Sequence, residues 1–353
     1  MSSIMGEKLK ISIFGQSHSE AIGCVIDGLP AGIKLDMEKI SAFMARRTPG
    51  NSPLSTTRKE ADTPRILSGV VDSYTCGAPL CMCIENTDTR SSDYADIKKC
   101  PRPSHSDYPY FIKTDGFNDI RGGGHSSGRL TAPLCFAGAI AIEILKEKGI
   151  EVVSHIKSVG DICDRPFDPT NIEAPIDLSF PVLDVARGAE MKELIESVSK
   201  KGDSVGGVIE CAITGVSAGL GDPMFDGIEN RIAKNIFAVP AVKGIEFGSG
   251  FDITRLKGSE ANDCYFYDEN GNIKTKTNHN GGILGGITNG MPIVFSCAVK
   301  PTPSILKPQE TIDLEARKNT VLTIRGRHDP CIVLRAVPVV EAVAALTILD
   351  MII

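Results

Sequence analysis

The chain has 353 residues, of which 42% are hydrophobic and 23% charged, and its formal net charge at pH 7 is −6. A globular protein of this size can bury a large core, and its acidic balance argues against general binding of nucleic acid, which requires a basic surface. The 11 cysteines include no CxxC pair, and the 6 histidines never occur at the spacing of zinc ligands. We therefore expect reduced thiols, a cytoplasmic location and no metal.

The first third of the chain predicts short strands, one helix and long polar loops. Asp36 can cap a helix from Met37 to about Arg47, and the basic segment 46–59 behind it has no apolar periodicity. The polar stretch 86–120 is long enough to indicate a functional loop. Alternating or apolar runs predict strands at residues 11–14, 23–26, 66–71 and 79–85.

A glycine-rich segment stands out in the middle of the chain. The glycines at 122–124 precede His125, two serines and Arg129, and an apolar helical pattern follows from about 130 to 148. Glycines allow a close approach to the backbone, and a helix N-terminus attracts anions. One interpretation is a site for a phosphate-bearing ligand, and the other is a flexible loop ahead of a core helix. This segment alone does not decide between them.

The second half predicts a further set of α and β elements. Strands are expected at 152–159, 206–214 and 331–335, and helices at about 189–200, before 237 and at the C-terminus. The order Cys, Gly, Ala, Gly recurs at the same spacing in 24–32 and 211–219, which suggests an internal repeat with halves at about 1–150 and 151–353 inside a single domain. Chance similarity is the alternative. The apolar C-terminal segment is interrupted by charges and a proline, so we expect a buried helix and no membrane span.

Histidine and arginine side chains recur beside glycines and at the ends of predicted elements. A cluster of basic groups in an acidic chain indicates a site for a small anionic substrate, since arginine binds phosphate and carboxylate in a fork and histidine exchanges a proton near neutrality. Asp329, next to His328, is either a base or an ion-pair partner. We expect His155 and His279 to be structural or surface residues. The clusters are Ser17/His18, Arg102/His105, His125–Arg129 and Arg327–Asp329.

Several common site motifs are missing from the sequence. It contains no GxSxG nucleophile elbow, no GxxxxGK[ST] phosphate loop, and no GxGxxG that opens a helix after a strand. A serine hydrolase of the Ser-His-Asp type, a P-loop nucleotide site and a Rossmann dinucleotide site are therefore unsupported.

An ordered series of motifs across nearly the whole chain resembles the chorismate synthase family. The matching segments include FGQSHSEAIGCVIDGLPAG, RRTPGNSPLSTTRKEAD, RPSHSDY, PAVKGIEFGSGF, NHNGGILGGI, KPTPSI and GRHDPC. The resemblance implies an α+β fold, with a helical layer sandwiched between antiparallel β-sheets, assembled as a homotetramer. It also implies a lyase of the shikimate pathway, which serves aromatic amino-acid biosynthesis. Its reaction is the anti-1,4-elimination of phosphate from 5-enolpyruvylshikimate 3-phosphate to give chorismate, with reduced FMN as cofactor and no net redox change.

The resemblance also implies roles for individual residues at matched positions. His105 would protonate the departing phosphate, His18 would protonate the reduced flavin, and Asp329 would relay a proton through the flavin. The implied substrate-binding residues are Ser17, Arg46, Arg47, Arg102, Arg129 and Arg335. The implied FMN-binding residues are His125, Ser126, Ser127, Ala241, Gly285, Lys300, Pro301, Thr302, Pro303, Ser304 and Arg327.

The sequence departs from the family pattern at a few site positions. Gln16 replaces glutamate, Pro53 and His125 replace arginine, Gly128 replaces alanine and Leu130 replaces glutamate. None of these changes removes His18, His105 or Asp329, so we expect an active enzyme. The reductant is either NADPH, used by the enzyme itself, or an external flavin reductase. The alternative function is a non-catalytic flavin- or phosphate-binding protein on the same scaffold.

Overall fold

The computed structural model describes residues 3–50, 54, 62–87, 96–169, 171–324 and 328–353. The strands in chain order are β1 (Ile4–Met5), β2 (Lys10–Gly15), β3 (Ala21–Asp27), β4 (Arg65–Ser68), β5 (Val70–Val71), β6 (Tyr74–Thr75), β7 (Leu80–Glu85), β8 (Glu151–Val159), β9 (Ile162–Cys163), β10 (Gly207–Thr214), β11 (Val242–Phe247), β12 (Tyr265–Tyr267), β13 (Ile273–Thr275), β14 (Ile283–Leu284), β15 (Ile287–Thr288), β16 (Ile293–Val299), β17 (Gln309–Asp313) and β18 (Lys318–Leu322). The helices are α1 (Met37–Arg47), α2 (Asp107–Lys113), α3 (Thr131–Glu147), α4 (Val185–Lys200), α5 (Ile228–Ile236), α6 (Gly258–Ala261) and α7 (Val333–Ile352).

Two five-stranded antiparallel sheets form the outer layers of the molecule. The first has the strand order β1-β2-β3-β7-β4, and the second has the order β11-β16-β10-β8-β9. The first sheet is built from the first half of the chain and the second sheet from the second half. This division agrees with the predicted internal repeat but does not test it. The remaining strands pair as short hairpins outside these sheets.

Helices α3 and α7 pack against each other between the two sheets. Helix α3 contacts β2, β3 and β7, whereas α7 contacts β8 and β10, so together they bridge the layers. Both helices are apolar around most of their circumference, as expected for helices buried on all sides. Small side chains let them approach closely, because a Cβ built on Gly138 would lie 2.2 Å from Cβ of Ala342. Within the described residues, the segment Gly128–Glu147 is long and apolar enough to cross a membrane, but 78% of its apolar window is buried in the protein.

Local signals in the sequence predicted the helices α1, α3, α4, α5 and α7 and the longer strands β2, β3, β7, β8 and β10, whereas β11 and β16 of the second sheet were not predicted. Helix α1 is confirmed with its cap, since the Asp36 carboxylate accepts hydrogen bonds from the backbone N–H groups of Glu38 and Lys39. The strand predicted at 331–335 is wrong, because helix α7 already begins at Val333. A short apolar run rich in β-branched residues does not distinguish a strand from the first turn of a buried helix.

Two further predictions change in detail. The strand expected at 66–71 is interrupted at Gly69, whose φ of 87° and close contact with the backbone of Leu80 suit only glycine. In the described part of the polar stretch 86–120, α2 and a 3₁₀ turn at Asp96–Lys98 supply regular structure. This stretch is therefore less open than its composition indicated.

Candidate functional site

The three glycines of the central loop bring two separate histidine segments together. Gly122, Gly123 and Gly124 all have positive φ, within a pair of 3₁₀ turns that precede α3. A Cβ on Gly122 would lie 2.4 Å from Oγ of Ser17 and 2.5 Å from the ring of His18, and the backbone N–H of Ser17 donates to the carbonyl of Gly124 at 3.0 Å.

His105 lies against the next glycine of the same loop. A Cβ on Gly123 would lie 3.2 Å from Cε1 and Nε2 of its ring. The rings of both predicted catalytic histidines therefore pack against the backbone of Gly122 and Gly123. They can do so because glycine has no side chain.

A buried ion pair holds His105 in place. Nδ1 of His105 lies 2.7 Å from Oδ1 of Asp107, and the same carboxylate binds Arg102 through Nε at 2.7 Å and Nη2 at 2.8 Å. Burial by itself raises the pKa of Asp107, but hydrogen bonds from Arg102 and His105 outweigh it and hold the pKa well below the usual value. Asp107 is therefore ionised at neutral pH.

Two of the predicted substrate arginines share a second buried carboxylate. Asp62 binds Nη1 of Arg47 at 2.6 Å through one oxygen, and its other oxygen accepts a hydrogen bond from Nη1 of Arg129. Arg47 also donates to Oγ1 of Thr131 at 3.0 Å, and Arg129 donates through Nε to Oδ1 of Asn86 at 3.0 Å. Burial raises the pKa of Asp62, yet the two guanidinium groups outweigh burial, so the pKa is lowered.

The third arginine of this region comes from α7. Arg335 donates through Nε to the carbonyl of Arg47 at 3.0 Å and pairs with Asp329 at 2.6 Å. Arg335 and the predicted proton carrier Asp329 therefore lie next to the Arg47–Asp62–Arg129 cluster. The sequence analysis interpreted Asp329 as either a base or an ion-pair partner. The structure shows the ion pair, which is compatible with a further role as a base.

Arg46 has a different environment from its neighbour Arg47. Its guanidinium forms a two-pronged pair with the buried carboxylate of Glu341 on α7, at 2.6 and 3.0 Å. Glu341 also accepts the backbone N–H of Ser154 at 3.1 Å. The resemblance grouped Arg46 with the substrate-binding arginines. In the structure its guanidinium connects α1 to α7 through Glu341, and the same carboxylate binds the backbone of β8.

A loop that follows β16 lies against the His105 segment. Ser304 accepts a hydrogen bond from Nη1 of Arg102 at 3.3 Å, and Nζ of Lys300 donates to the carbonyl of Ser104. The backbone N–H of Lys300 donates to the carbonyl of Ala241 at 2.9 Å, and Ala241 has a φ of 75°. The predicted FMN residues of the 300–304 loop are thus brought beside Arg102 and His105.

Two buried hydroxyl groups stand out near these clusters. Among the described residues, Oγ of Ser17 and Oγ1 of Thr302 have no hydrogen-bond partner. A buried hydroxyl without a partner is costly, so such groups commonly serve a bound ligand.

Other predicted site residues have contacts of their own. Both ring nitrogens of His125 are engaged, Nδ1 at 2.7 Å from the carbonyl of Gly15 and Nε2 at 2.6 Å from Oγ of Ser3. Gly285 lies at the exposed tip of the β14–β15 hairpin. Arg327, like the departure at Pro53, lies outside the described residues.

The two histidines set aside by the sequence analysis have local partners. His155 is buried between Asp164, at 3.1 Å, and Glu210, at 3.0 Å. Nδ1 of His279 lies 2.8 Å from Oγ of Ser249. His155 therefore belongs to a buried ion-pair cluster of the second sheet.

Sequence reasoning missed the two carboxylates that organise the site. Asp107 follows His105 by two residues, and that spacing was a signal that could have been used. Asp62 lies three residues after the basic segment 46–59, and its pairing with Arg129 across 67 residues had no local signal.

Comparison with known proteins identifies the chain. The family model described as chorismate synthase matches residues 9–353. The chain belongs to the chorismate synthase family. Curated relatives named chorismate synthase include one from Korarchaeum cryptofilum, 45% identical over 98% of this chain and 96% of its own, and one from Lachnoclostridium phytofermentans, 47% identical over 99% and 94%. A solved structure titled "Crystal Structure of Chorismate Synthase" matches with a TM-score of 0.76 at 28% identity, covering 98% of this chain and 92% of that one.

Membership of the chorismate synthase family confirms the predicted fold class and function. The structure mixes helices with antiparallel sheets in an α+β arrangement. The enzyme is a carbon–oxygen lyase that eliminates phosphate from 5-enolpyruvylshikimate 3-phosphate, and its family requires reduced flavin. The comparisons favour this function and give no support to a non-catalytic binding protein.

Proposed function

We propose that the elimination takes place over the glycine loop, where His18, His105 and the buried arginines converge. The main support for this proposal is that the ring of His18 packs against Gly122 and the ring of His105 packs against Gly123. The substrate has a phosphate and two carboxylates, and this region offers four guanidinium groups balanced in part by buried aspartates. The proposed substrate-binding residues are Ser17, Arg47, Arg102, Arg129 and Arg335.

In this proposal the protein orients a polyanionic substrate, and three side chains hold or move protons. His105 donates a proton from Nε2 to the departing phosphate oxygen as the carbon–oxygen bond breaks. Asp329 lies in the same region, paired with Arg335, and takes part in moving the proton that the elimination releases. His18 holds a proton against the negative charge of the reduced cofactor. We assign Arg46 a supporting role, because its guanidinium already pairs with Glu341.

The residues near the 300–304 loop fit FMN. The buried hydroxyl of Thr302 supplies a hydrogen-bonding group without another described partner, and Lys300 supplies a cation for the phosphate. When bound, reduced FMN supplies electron density that helps the phosphate leave. His125 would contribute through its backbone, because its ring is engaged by Gly15 and Ser3. The further proposed FMN residues are Ser126, Ser127, Ala241, Gly285, Pro301, Pro303, Ser304 and Arg327.

Substitution of His105 tests the proposed chemistry. His105→Ala should lower the rate of elimination by about 10²–10⁴-fold, as expected for loss of a general acid, while FMN binding survives. Chorismate formation would be measured anaerobically with chemically reduced FMN, and flavin affinity by fluorescence titration. A variant that turns over at the wild-type rate would remove His105 from the mechanism.

Substitution of Arg129 tests the proposed anion site. Arg129→Ala should chiefly weaken substrate binding and raise KM. Arg187→Ala is a matched control, because it removes the same charge from a partly exposed position on α4, where Arg187 pairs with Glu190. If the two variants had the same KM, Arg129 would have no role in binding the substrate.

The reductant, the assembly and the compartment are further parts of the proposal. Product formed with NADPH alone would make the enzyme its own flavin reductase, whereas product formed only with reduced FMN would require an external one. We expect a homotetramer, and exposed apolar side chains such as Tyr265, Tyr267 and Ile273 on the β12–β13 hairpin offer contact surface. Sedimentation analysis would test this. A cytoplasmic location fits a biosynthetic enzyme of this family.

A further inference from the structure

We propose that Asp107 is a positioning residue that fixes the tautomer and the orientation of His105. This inference rests on the role proposed above for His105 as the proton donor. It adds a residue to the site that neither the motifs nor the comparisons assign.

The contacts of Nδ1 decide which ring nitrogen of His105 carries the fixed proton. Nδ1 lies 2.7 Å from Oδ1 of Asp107 and 3.1 Å from Nη2 of Arg102. An ionised carboxylate only accepts hydrogen bonds and a guanidinium only donates them, so Nδ1 must donate to Asp107 or accept from Arg102. The contact with Asp107 is shorter, and Nη2 of Arg102 already donates to the same Oδ1 at 2.8 Å. Nδ1–H of His105 therefore donates to Asp107.

This arrangement leaves Nε2 of His105 on the side of the glycine loop. A Cβ on Gly123 would lie 3.2 Å from Nε2, so only glycine at this position leaves the space in front of the nitrogen open. Nε2 is the nitrogen that delivers the proton in the proposed reaction, and because Nδ1–H stays bonded to Asp107, the ring that reacts carries a proton on both nitrogens. A histidine held through Nδ1–H by a buried carboxylate presents its other nitrogen in one orientation, as in catalytic triads.

The carboxylate of Asp107 is itself immobilised. Arg102 donates to it through Nε, Nη2 and its backbone N–H, at 2.7, 2.8 and 3.1 Å. Asp107 is 6% exposed, and it is the first residue of α2. Because both oxygens are occupied by a rigid guanidinium fork, the carboxylate does not rotate away from the imidazole. Arg102 in turn contacts Ser304, which ties the unit to the 300–304 loop.

The test combines Asp107→Asn with His105→Ala in a double-mutant cycle. Asparagine has nearly the same shape, but it replaces the charged acceptor of Nδ1–H by a neutral amide, which weakens the hydrogen bond that holds the protonated ring in one orientation. We expect Asp107→Asn to lower kcat by about 10²-fold or more in the wild-type background. In the His105→Ala background the same substitution should change kcat by less than about threefold, because residues that act as a unit are not additive. KM should rise by the same factor in both backgrounds, since Arg102 loses its partner in each.

Asp115→Asn is the matched control. Asp115 is exposed, lies just after α2, and has a φ of 50°, a conformation that asparagine adopts readily. This control should retain wild-type kcat and KM.

Three results would overturn the proposal, and they differ from one another. An unchanged kcat in Asp107→Asn shows that the carboxylate does not matter. An equal loss of kcat with and without His105 shows that Asp107 acts independently of the histidine, while the role of His105 stands. A wild-type rate for His105→Ala removes the proposed proton donor and this inference with it.

A measurement on the unsubstituted enzyme covers the case in which Asp107→Asn does not fold. Nitrogen-15 NMR of histidine-labelled protein, with the His105 signals assigned by their loss in His105→Ala, reports the tautomer directly. The neutral ring should carry its proton on Nδ1. A neutral ring protonated on Nε2 would contradict the proposed hydrogen bond to Asp107.

Discussion

Replacing Gly122 with alanine would place a methyl group where two side chains of the site already lie. The new Cβ would be 2.4 Å from Oγ of Ser17 and 2.5 Å from the ring of His18, which is closer than nonbonded atoms approach. The φ of 60° at Gly122 adds backbone strain, which costs about 1–3 kcal/mol in a residue other than glycine. Overpacking of a well-filled site adds about 1–3 kcal/mol. We therefore expect a loss of roughly 2–6 kcal/mol in the free energy of unfolding.

The molecule can relieve this contact only by moving the loop or the histidine. Either movement displaces His18 relative to His105, and a shift of about 1 Å in a catalytic group can cost roughly 10²-fold in rate. Gly122→Ala should therefore lose turnover even if part of the strain is relieved. Chemical denaturation and anaerobic turnover with reduced FMN measure the two effects on the same sample.

Two other glycines separate the contributions of strain and contact. Gly149 has a φ of 75° and open space around its Cβ position, so Gly149→Ala should show backbone strain alone, about 1–3 kcal/mol, with normal turnover. Gly128 has open space and no positive φ, so Gly128→Ala should be within about 0.5 kcal/mol of the wild type. Wild-type stability and turnover in Gly122→Ala would show that the backbone of Gly122 does not pack closely against Ser17 and His18.

Three further predictions concern the helical layer, the chain ends and acid stability. Gly138→Ala should cost about 1–3 kcal/mol by forcing α3 from α7, and adding Ala342→Gly should recover part of that loss in the same denaturation assay. Asp350→Ala should cost about 2–4 kcal/mol, because its carboxylate accepts the backbone N–H groups of residues 7–9 at 2.7–3.0 Å; an unchanged melting temperature would contradict this. Folding lowers the pKa of Asp62 from its ordinary value of 3.8. The contribution of this carboxylate to the free energy of unfolding is therefore fully present above pH 3.8, and it is lost as the pH falls through the lower pKa of the folded protein. The stability difference between wild type and Asp62→Asn should therefore be full at pH 7 and shrink below about pH 4, and a difference independent of pH would exclude this linkage.

Much of the fold and part of the site could be read from local patterns. Helix α1 and its Asp36 cap follow from apolar spacing and a capping side chain, both of which act within a few residues. The glycine run and the adjacent His125 were recognisable as unusual, because three adjacent glycines have no side chains to pack. The start of α7 was misjudged, because strand and buried helix share the same apolar composition at that length.

Arg46 and Arg47 show what local patterns could not decide. They are adjacent in sequence, and both were expected to bind substrate. On a helix, neighbouring side chains point about 100° apart, so Arg46 reaches Glu341 while Arg47 reaches Asp62. The direction of each depends on which elements pack around α1.

The sequence by itself determined the main helices, most strands of the first sheet, the family and the residue types available for chemistry. These follow from backbone preferences, periodicity and ordered motifs, which are properties of short stretches. Only the tertiary structure decided that Asp62 joins Arg47 to Arg129, and that Arg102, which contacts His105, binds Ser304 across 202 residues. Such pairings depend on how the two sheets and the helical layer pack, because partners so far apart meet only once the whole core has formed.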